Sequence, residues 1–283
     1  MLEILAGGLL LIFLSFLGIV WAAKQDGWQF LGWDVTSDHT TVLTKRLLLV
    51  CLLLFSGSLL LGLATCLEPV QSFDRAFVQH MFRRGGPIVS YAMKTIARAS
   101  DLESTVFLLL LAALVLELRG RSQAFWFFAL ALLGTVGLEV YFETIFRWWQ
   151  PDSMHKEYLH PLLSGYPSGH TLRATLLAEL LLVMILPDCR RSWQRVVLWS
   201  AAVTWPILTG VSLVYFDWHY PTDVAGAMLL GTSWFGVCLL PLVRRVARHA
   251  YPASSSTPIH HAHPHRTVMP SDCRGGRRLR NKP

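Results

Sequence analysis

The sequence predicts an all-α polytopic membrane protein, a bundle of seven spans. Three observations carry this reading. Hydrophobic residues make up 53% of the chain and charged ones only 15%, against about 25% charged in ordinary soluble domains. The apolar residues gather in runs near 2–22, 47–66, 104–118, 124–146, 170–187, 195–216 and 223–243, each close to the ~20 residues that a helix needs to cross a bilayer. Lys and Arg, finally, cluster in every second connection between the runs.

The first run holds Glu3 and no Lys or Arg at its start; a cleaved signal peptide begins with positive charge, so a retained helix is expected. Lys24, Lys45 and Arg46 separate runs one and two, Arg119 and Arg121 runs three and four, and Arg190, Arg191 and Arg195 runs five and six. Arg244, Arg245 and Arg248 follow run seven. All four groups fall on one side, which the positive-inside rule makes cytoplasmic. The segments 67–103, 147–169 and 217–222 are then outside. In 67–103, Arg75, Arg83, Arg84, Lys94 and Arg98 are set against Glu68, Asp74, Asp101 and Glu103, and apolar residues interleave with these charges. That pattern fits an amphipathic helix along the interface, broken at Gly85-Gly86-Pro87.

Residues 251–283 are rich in Pro, Ser, His and Arg without apolar periodicity, and read as a disordered tail. Three regions follow: 1–46, an N-terminal helix and cytoplasmic linker; 47–250, the membrane domain; and 251–283. The net charge of +7 belongs to the juxtamembrane C-terminal end, since Arg244 onward holds nine Lys and Arg against the single Asp272. A basic juxtamembrane end suits anionic lipid headgroups, and no nucleic-acid partner is expected. Cys51, Cys66, Cys189, Cys238 and Cys273 lack metal spacing. The tail cluster His260, His261, His263 and His265 has no partner ligands, which makes it weak evidence for a metal.

Two short stretches put ionisable and turn residues at the outer ends of spans. Tyr166-Pro167-Ser168-Gly169-His170-Thr171 opens span five; its tight backbone leads into a helix N-terminus, whose amides favour a bound anion such as phosphate. Asp217-Trp218-His219-Tyr220-Pro221-Thr222-Asp223 joins spans six and seven. His219 and Asp223 are four apart, the spacing at which side chains share a helical face, so the carboxylate can hold the imidazole's tautomer and make it a competent nucleophile. A lone His or Asp at a helix end is more often an interfacial residue or a cap. Two such stretches on one membrane face point to an active site.

These stretches resemble the second and third signatures of the type 2 phosphatidic acid phosphatase (PAP2) superfamily, Pro-Ser-Gly-His and Ser-Arg-x5-His-x3-Asp. The likeness covers spans two to seven and implies a PAP2-like six-helix core with one extra N-terminal transmembrane helix. It further implies that His219 attacks phosphorus to form a phosphohistidine, that Asp223 orients it, and that His170 protonates the leaving oxygen. Ser168 and the amide of Gly169 would hold phosphoryl oxygens, with no metal or other cofactor.

The chain departs from the pattern at three positions. Aligning the proline of the first signature, Lys-x6-Arg-Pro, with Pro151 puts Glu143 in place of Lys and Gln150 in place of Arg; Ser212 of the third signature is followed by Leu213 instead of Arg. One lost transition-state charge can cost roughly 3–4 kcal/mol. Substitute cations are one resolution, with Arg173 first, since it shares the helical face of His170. Arg147, His155, Lys156 and His160 are the others. Arg173 could equally pair with Glu179 or reach toward headgroups. A different substrate is a second resolution: Glu139, Glu143 and Asp217 offer carboxylates to an amine, and the pattern also resembles sphingomyelin and inositol-phosphorylceramide synthases, which pass a phospho-headgroup to a lipid alcohol. Glu139, Glu143 and Arg147 could instead form a neutral packing stripe. An inactive relative is the third resolution.

The expectation is therefore an integral inner- or plasma-membrane enzyme acting on membrane lipids, with its site on the extracytoplasmic face. It hydrolyses a lipid phosphate or pyrophosphate. The catalytic set is His219, His170 and Asp223, and the substrate-binding set Ser168, Gly169, Arg173, Arg147 and Lys156. A transporter would need broken helices or paired repeats, and only Pro206 interrupts span six.

Overall fold

The computed structural model describes residues 2–22, 37–82, 84–118, 122–149 and 165–250. Among them the chain forms, in order, α1 (Leu2–Ala22), α2 (Ser37–Ala64), α3 (Glu68–Met81), α4 (Pro87–Arg98), α5 (Leu102–Leu118), α6 (Ser122–Trp149), α7 (Gly169–Ile185), α8 (Ser192–Tyr215) and α9 (Pro221–Ala250), with a 3-10 turn at Leu186–Asp188 after α7. The tail 251–283, Arg119, Arg121 and the connection that carries His155, Lys156 and His160 lie outside the described residues.

Six of these helices contain spans long and apolar enough to cross a membrane: Glu3–Trp21, Val42–Ala64, Phe125–Arg147, Gly169–Asp188, Ser192–Tyr215 and Pro221–Val243. The chain is an integral membrane protein of all-α class. The remaining expected span, 104–118, is α5. Its 17 residues rise about 25 Å, short of the ~30 Å hydrocarbon core, and α4 runs into it through a 63° bend. The segment expected as one broken amphipathic helix is a pair, α3 and α4, separated at Gly85-Gly86. Each has a proline in its first turn, where the missing N–H has no intrahelical partner to lose.

Helix α1 lies along α6 and α2 along α9, while α7 packs against α6, α8 and α9. The α1–α6 crossing is close because it uses glycine on both sides: a Cβ on Gly8 would stand 3.1 Å from the Gly137 carbonyl oxygen, and one on Gly137 2.9 Å from that of Gly8. In lipid, where apolar surface gains nothing by leaving the solvent, such small residues let backbones pack. The buried core sits among α6, α7 and α9 around Phe127, Phe128, Leu172, Leu176, Leu230 and Trp234. Trp234 Nε1 donates to the Ala131 carbonyl at 2.9 Å. Leu52 and Leu60 on α2, Phe107 on α5 and Val196 on α8 face outward, as apolar side chains do toward hydrocarbon.

One end of the bundle is tied together by polar contacts between distant segments. The hydroxyls of Ser90 and Tyr215 meet at 2.7 Å and those of Ser100 and Thr209 at 2.9 Å, which fixes α4 to α8. Asp74 on α3 accepts the Thr222 backbone N–H at 3.3 Å and its hydroxyl, which satisfies a donor that the start of α9 would leave unpaired. The α4–α5 corner, the start of α7 and the α8–α9 turn therefore share this end. Arg190 and Arg191 follow the far end of α7.

Candidate active site

The two chemistry-bearing stretches meet here through their backbones: Ser168 N–H donates to the Asp223 carbonyl at 3.2 Å. Beyond this bond the stretch 168–171 becomes a helix start. Ser168 is the N-cap of α7, its hydroxyl accepting from the Thr171 N–H at 3.4 Å and lying 3.1 Å from the Thr171 hydroxyl. The side chain expected to hold phosphoryl oxygen is thus engaged as a cap.

The α8–α9 turn is built to aim His219. Phe216, Asp217 and Trp218 return their N–H groups to Ser212, Val214 and Leu213, with Asp217 in the left-handed region at φ 59°, a conformation that Asp tolerates better than most residues. Asp223, in the first turn of α9, accepts the Tyr220 N–H at 2.9 Å and faces His219 Nδ1 at 3.4 Å, both through Oδ2. Among the described residues this leaves Nε2 of His219 as the ring nitrogen without a carboxylate. His219 and Asp223 are almost fully buried, at 1% and 3% exposure.

His170, in the first turn of α7, is paired as well. Its Nε2 lies 2.8 Å from Asp101 Oδ1, at the corner between α4 and α5. The His170 and His219 rings stand 6.5 Å apart between centroids, at 63°. The arrangement is two imidazoles face to edge, each held by a carboxylate. Asp101 and Asp74 escaped the sequence reading because an Asp at a helix start or on an amphipathic helix has a sufficient bland explanation as a cap or a solvated charge. The available signal was an acid in an outer segment that had to pack against the two stretches.

Arg173, one turn below His170, is 5% exposed and pairs with Glu139 of α6, so neither Glu179 nor the headgroup region takes it. Its Nε has no partner among the described residues. The approach of Glu139 depends on Gly169, since a Cβ there would collide with the Glu139 carboxylate. Gly169 therefore has a packing role besides the one expected of its amide. Glu143, one turn along α6 from Glu139, is 3% exposed, and neither of its carboxylate oxygens has a partner among the described residues. The charges acting on it are those of Glu139, Arg173, Asp223 and Arg147. Leu213 is fully buried, and Arg147 is exposed on the last turn of α6. Lys156 lies outside the described residues, as do Gln150 and Pro151.

Behind the histidines, Tyr166 is fully buried. Its hydroxyl bonds the Ser58 carbonyl, and Ser58 Oγ donates to Gly226 O at 2.9 Å. Burial pushes the Tyr166 phenol up from its ordinary value, so it stays a donor and staples α2 to α9. Among the described residues no three His, Cys, Asp or Glu side chains converge as a metal site.

Residues 124–246, which run from α6 into α9 and include both stretches, match the PAP2 superfamily. This part of the chain is a PAP2-superfamily segment. In fold, the chain is similar to the crystal structure of a transmembrane PAP2-type phosphatidylglycerolphosphate phosphatase from Bacillus subtilis, with a TM-score of 0.58 and 22% identity over 66% of this chain and 93% of that one. The all-helical membrane arrangement, with six spans among the described residues, is thus a PAP2-type fold. No curated protein matches the chain in sequence.

Proposed function

We propose that this protein is a membrane lipid phosphatase that works through a phosphohistidine at His219. The observation that carries this is the facing pair: His170 and His219 at 6.5 Å, each with a carboxylate on one ring nitrogen. In the first step His219 Nε2 forms a bond to phosphorus as the bond to the ester oxygen breaks, and His170 delivers its proton to that oxygen. In the second, water attacks phosphorus, its proton passes to His170, and the N–P bond breaks. Asp223 holds His219 in the tautomer whose Nε2 lone pair is free and stabilises the positive ring that forms. Asp101 orients His170 toward the leaving oxygen. The amides at the start of α7 and the Arg173 Nε–H are the donors closest in sequence to His170 for the phosphoryl oxygens.

The extracytoplasmic side of an inner or plasma membrane is the face we assign to this chemistry, because the histidine end of the bundle is opposite Arg190 and Arg191. Lipid phosphates and pyrophosphates are the substrates, reaching His219 at the end of the apolar bundle while their chains stay in the hydrocarbon.

The test is release of inorganic phosphate from lipid phosphates by the purified protein in detergent, in chelator, for the parent and His219→Ala. Loss of release together with loss of an acid-labile phosphoryl adduct in the variant is the expected result. Full release by His219→Ala would end the proposal. A second reading, transfer of a phospho-headgroup to a lipid alcohol, is favoured by the acid at Glu143, which stands where the first signature has Lys. Appearance of phosphorylated lipid alcohol in place of free phosphate would select it.

A further inference from the structure

Between α5 and α7 the bundle is not closed. A hollow of about 830 Å³ runs from Leu108 on α5 and Leu177 on α7 to Asp188, just past the far end of α7. A second, of about 420 Å³, lies against α8 and is lined there by Ala201 and Trp205. Leu108, Leu177, Leu181 and Ile185 line both, so the two adjoin along α7. Each is within the range of about 300–1,000 Å³ that small-molecule sites occupy.

Small side chains make this space. Ala112, Ala178, Ala201 and Ala202 stand on its walls, and in a membrane such residues ordinarily bring helices into contact. Here that contact is not made. Helix α5 departs from a corner fixed by Ser100 on Thr209 and Asp101 on His170, and its far half stays apart from α7. Leu111 and Ile185 line the space and are also exposed, so it opens sideways onto hydrocarbon. An apolar space of this kind does not hold water; acyl chains are what surrounds it.

The far end of the space is charged. Arg195 Nε donates to the Cys189 carbonyl at 3.1 Å, and the Arg191 N–H donates to Gln194 Oε1 at 2.9 Å. These bonds fold the start of α8 onto the end of α7 and keep Arg190, Arg191 and Arg195, all exposed, close to Asp188. Trp193, also exposed, stands among them, a side chain suited to the headgroup level. The acids at this end are Asp188 and Glu117, and in sequence Arg119 and Arg121 follow α5. The balance is positive, and basic residues at the mouth of a space between spans favour an anionic headgroup.

We propose that this end of the bundle is a lipid-binding site, in which an anionic glycerophospholipid sets its phosphate on Arg190 and Arg191 and its two acyl chains in the two hollows. The divider between the chains is the pair Leu181 and Ile185 on α7. The site is separate from the histidines: on α7 both hollows stop at Leu177, seven residues from His170, which is about 10 Å of helix. The inference therefore stands apart from the chemistry assigned to His219.

The experiment offers the full chain, purified in detergent and freed of carried lipid, phosphatidylglycerol and phosphatidylcholine with the same acyl chains. Retention of each is read by native mass spectrometry. Phosphatidylglycerol should be held roughly 10- to 30-fold more tightly, since an arginine near an anionic headgroup contributes about a factor of five. In Arg190→Gln combined with Arg191→Gln the preference should fall to about one. Ala112→Phe, which fills the larger hollow, should lower retention of both lipids, whereas Leu60→Phe on the outward face of α2 should lower neither. Equal retention of the two lipids by the parent overturns the proposal, and so does an unchanged preference in the arginine variant, which would put the lipid elsewhere. Equal effects of Ala112→Phe and Leu60→Phe overturn it too, because lipid would then be held anywhere on the bundle. Should Ala112→Phe melt below the parent in lipid-free detergent, Ala201→Phe on the exposed α8 wall takes its place.

Discussion

Nε2 of His170 stands 2.8 Å from Oδ1 of Asp101, a hydrogen bond that joins residues 69 positions apart and closes the α4–α5 corner onto the start of α7. It gives His170 what Asp223 gives His219, a fixed ring orientation. The two pairings differ in origin, since one is made within a single turn of chain and the other needs the whole outer end of the bundle to assemble.

Asp101→Asn should lower kcat by roughly 10- to 100-fold with little change in KM, because it disturbs the proposed proton donor, His170, a role worth about 10²–10⁴, without removing it. Partial recovery in Asp101→Glu would mark a positioning role. A fall in KM-dependent rates alone, with kcat intact, would assign Asp101 to binding instead.

Loss of the carboxylate behind His219, the proposed nucleophile, should be more severe. Asp223→Asn leaves a neutral partner that stabilises the wrong tautomer, and a drop of about 10⁴ in kcat is the precedent for that change in a His–Asp pair. Trapped phosphohistidine, measured in single-turnover mixing, should form more slowly in the same proportion.

The buried pair Arg173–Glu139 should show strong coupling in stability. Either Arg173→Met or Glu139→Gln alone leaves one buried charge without its partner, at a cost of about 3–5 kcal/mol. The double variant should lose less than the sum of the two, as read from thermal unfolding in detergent. Additive losses would mean that the two side chains are not paired in the working protein.

Gly169→Ala tests the same contact from the other side. The added methyl meets the Glu139 carboxylate, and overpacking of this kind costs about 1–3 kcal/mol. In a Glu139→Ala background, which already carries the cost of the unpaired Arg173, the further change Gly169→Ala should cost little, because the obstacle is gone. A further loss there equal to that of Gly169→Ala in the parent would place the strain elsewhere.

Asp74→Ala removes the acceptor of the Thr222 N–H and hydroxyl at the start of α9. A lost cap costs about 0.5–2 kcal/mol. Since the same turn aims His219, hydrogen exchange at the amides of 219–223 should rise along with the loss of stability.

Much of the architecture could be read from residue order. Each apolar run expected as a span is a helix, and the break at Gly85-Gly86-Pro87 separates α3 from α4. These features are local, because hydropathy and proline act on the segment that contains them. The third expected span, 104–118, is short in the sequence itself, but its bend against α4 has a reason outside its own residues: the α4–α5 corner is held by Ser100 on Thr209 and by Asp101 on His170. Arg173 illustrates the same limit. Its helical face was evident from its place three residues after His170, whereas its partner depended on Gly169 letting α6 approach.

By itself the sequence determined the helical membrane class, the spans and the two stretches that hold His170 and His219, since composition and short-range spacing encode all three. Tertiary structure alone decided that Asp101 serves His170, that Asp74 caps α9, that Arg173 is spent on Glu139, and that Glu143 is buried without a partner among the described residues. The physical reason is that a carboxylate has no intrinsic role. Its effect depends on which donor lies within about 3 Å and on how little water reaches it, and both are properties of helices brought together from distant parts of the chain.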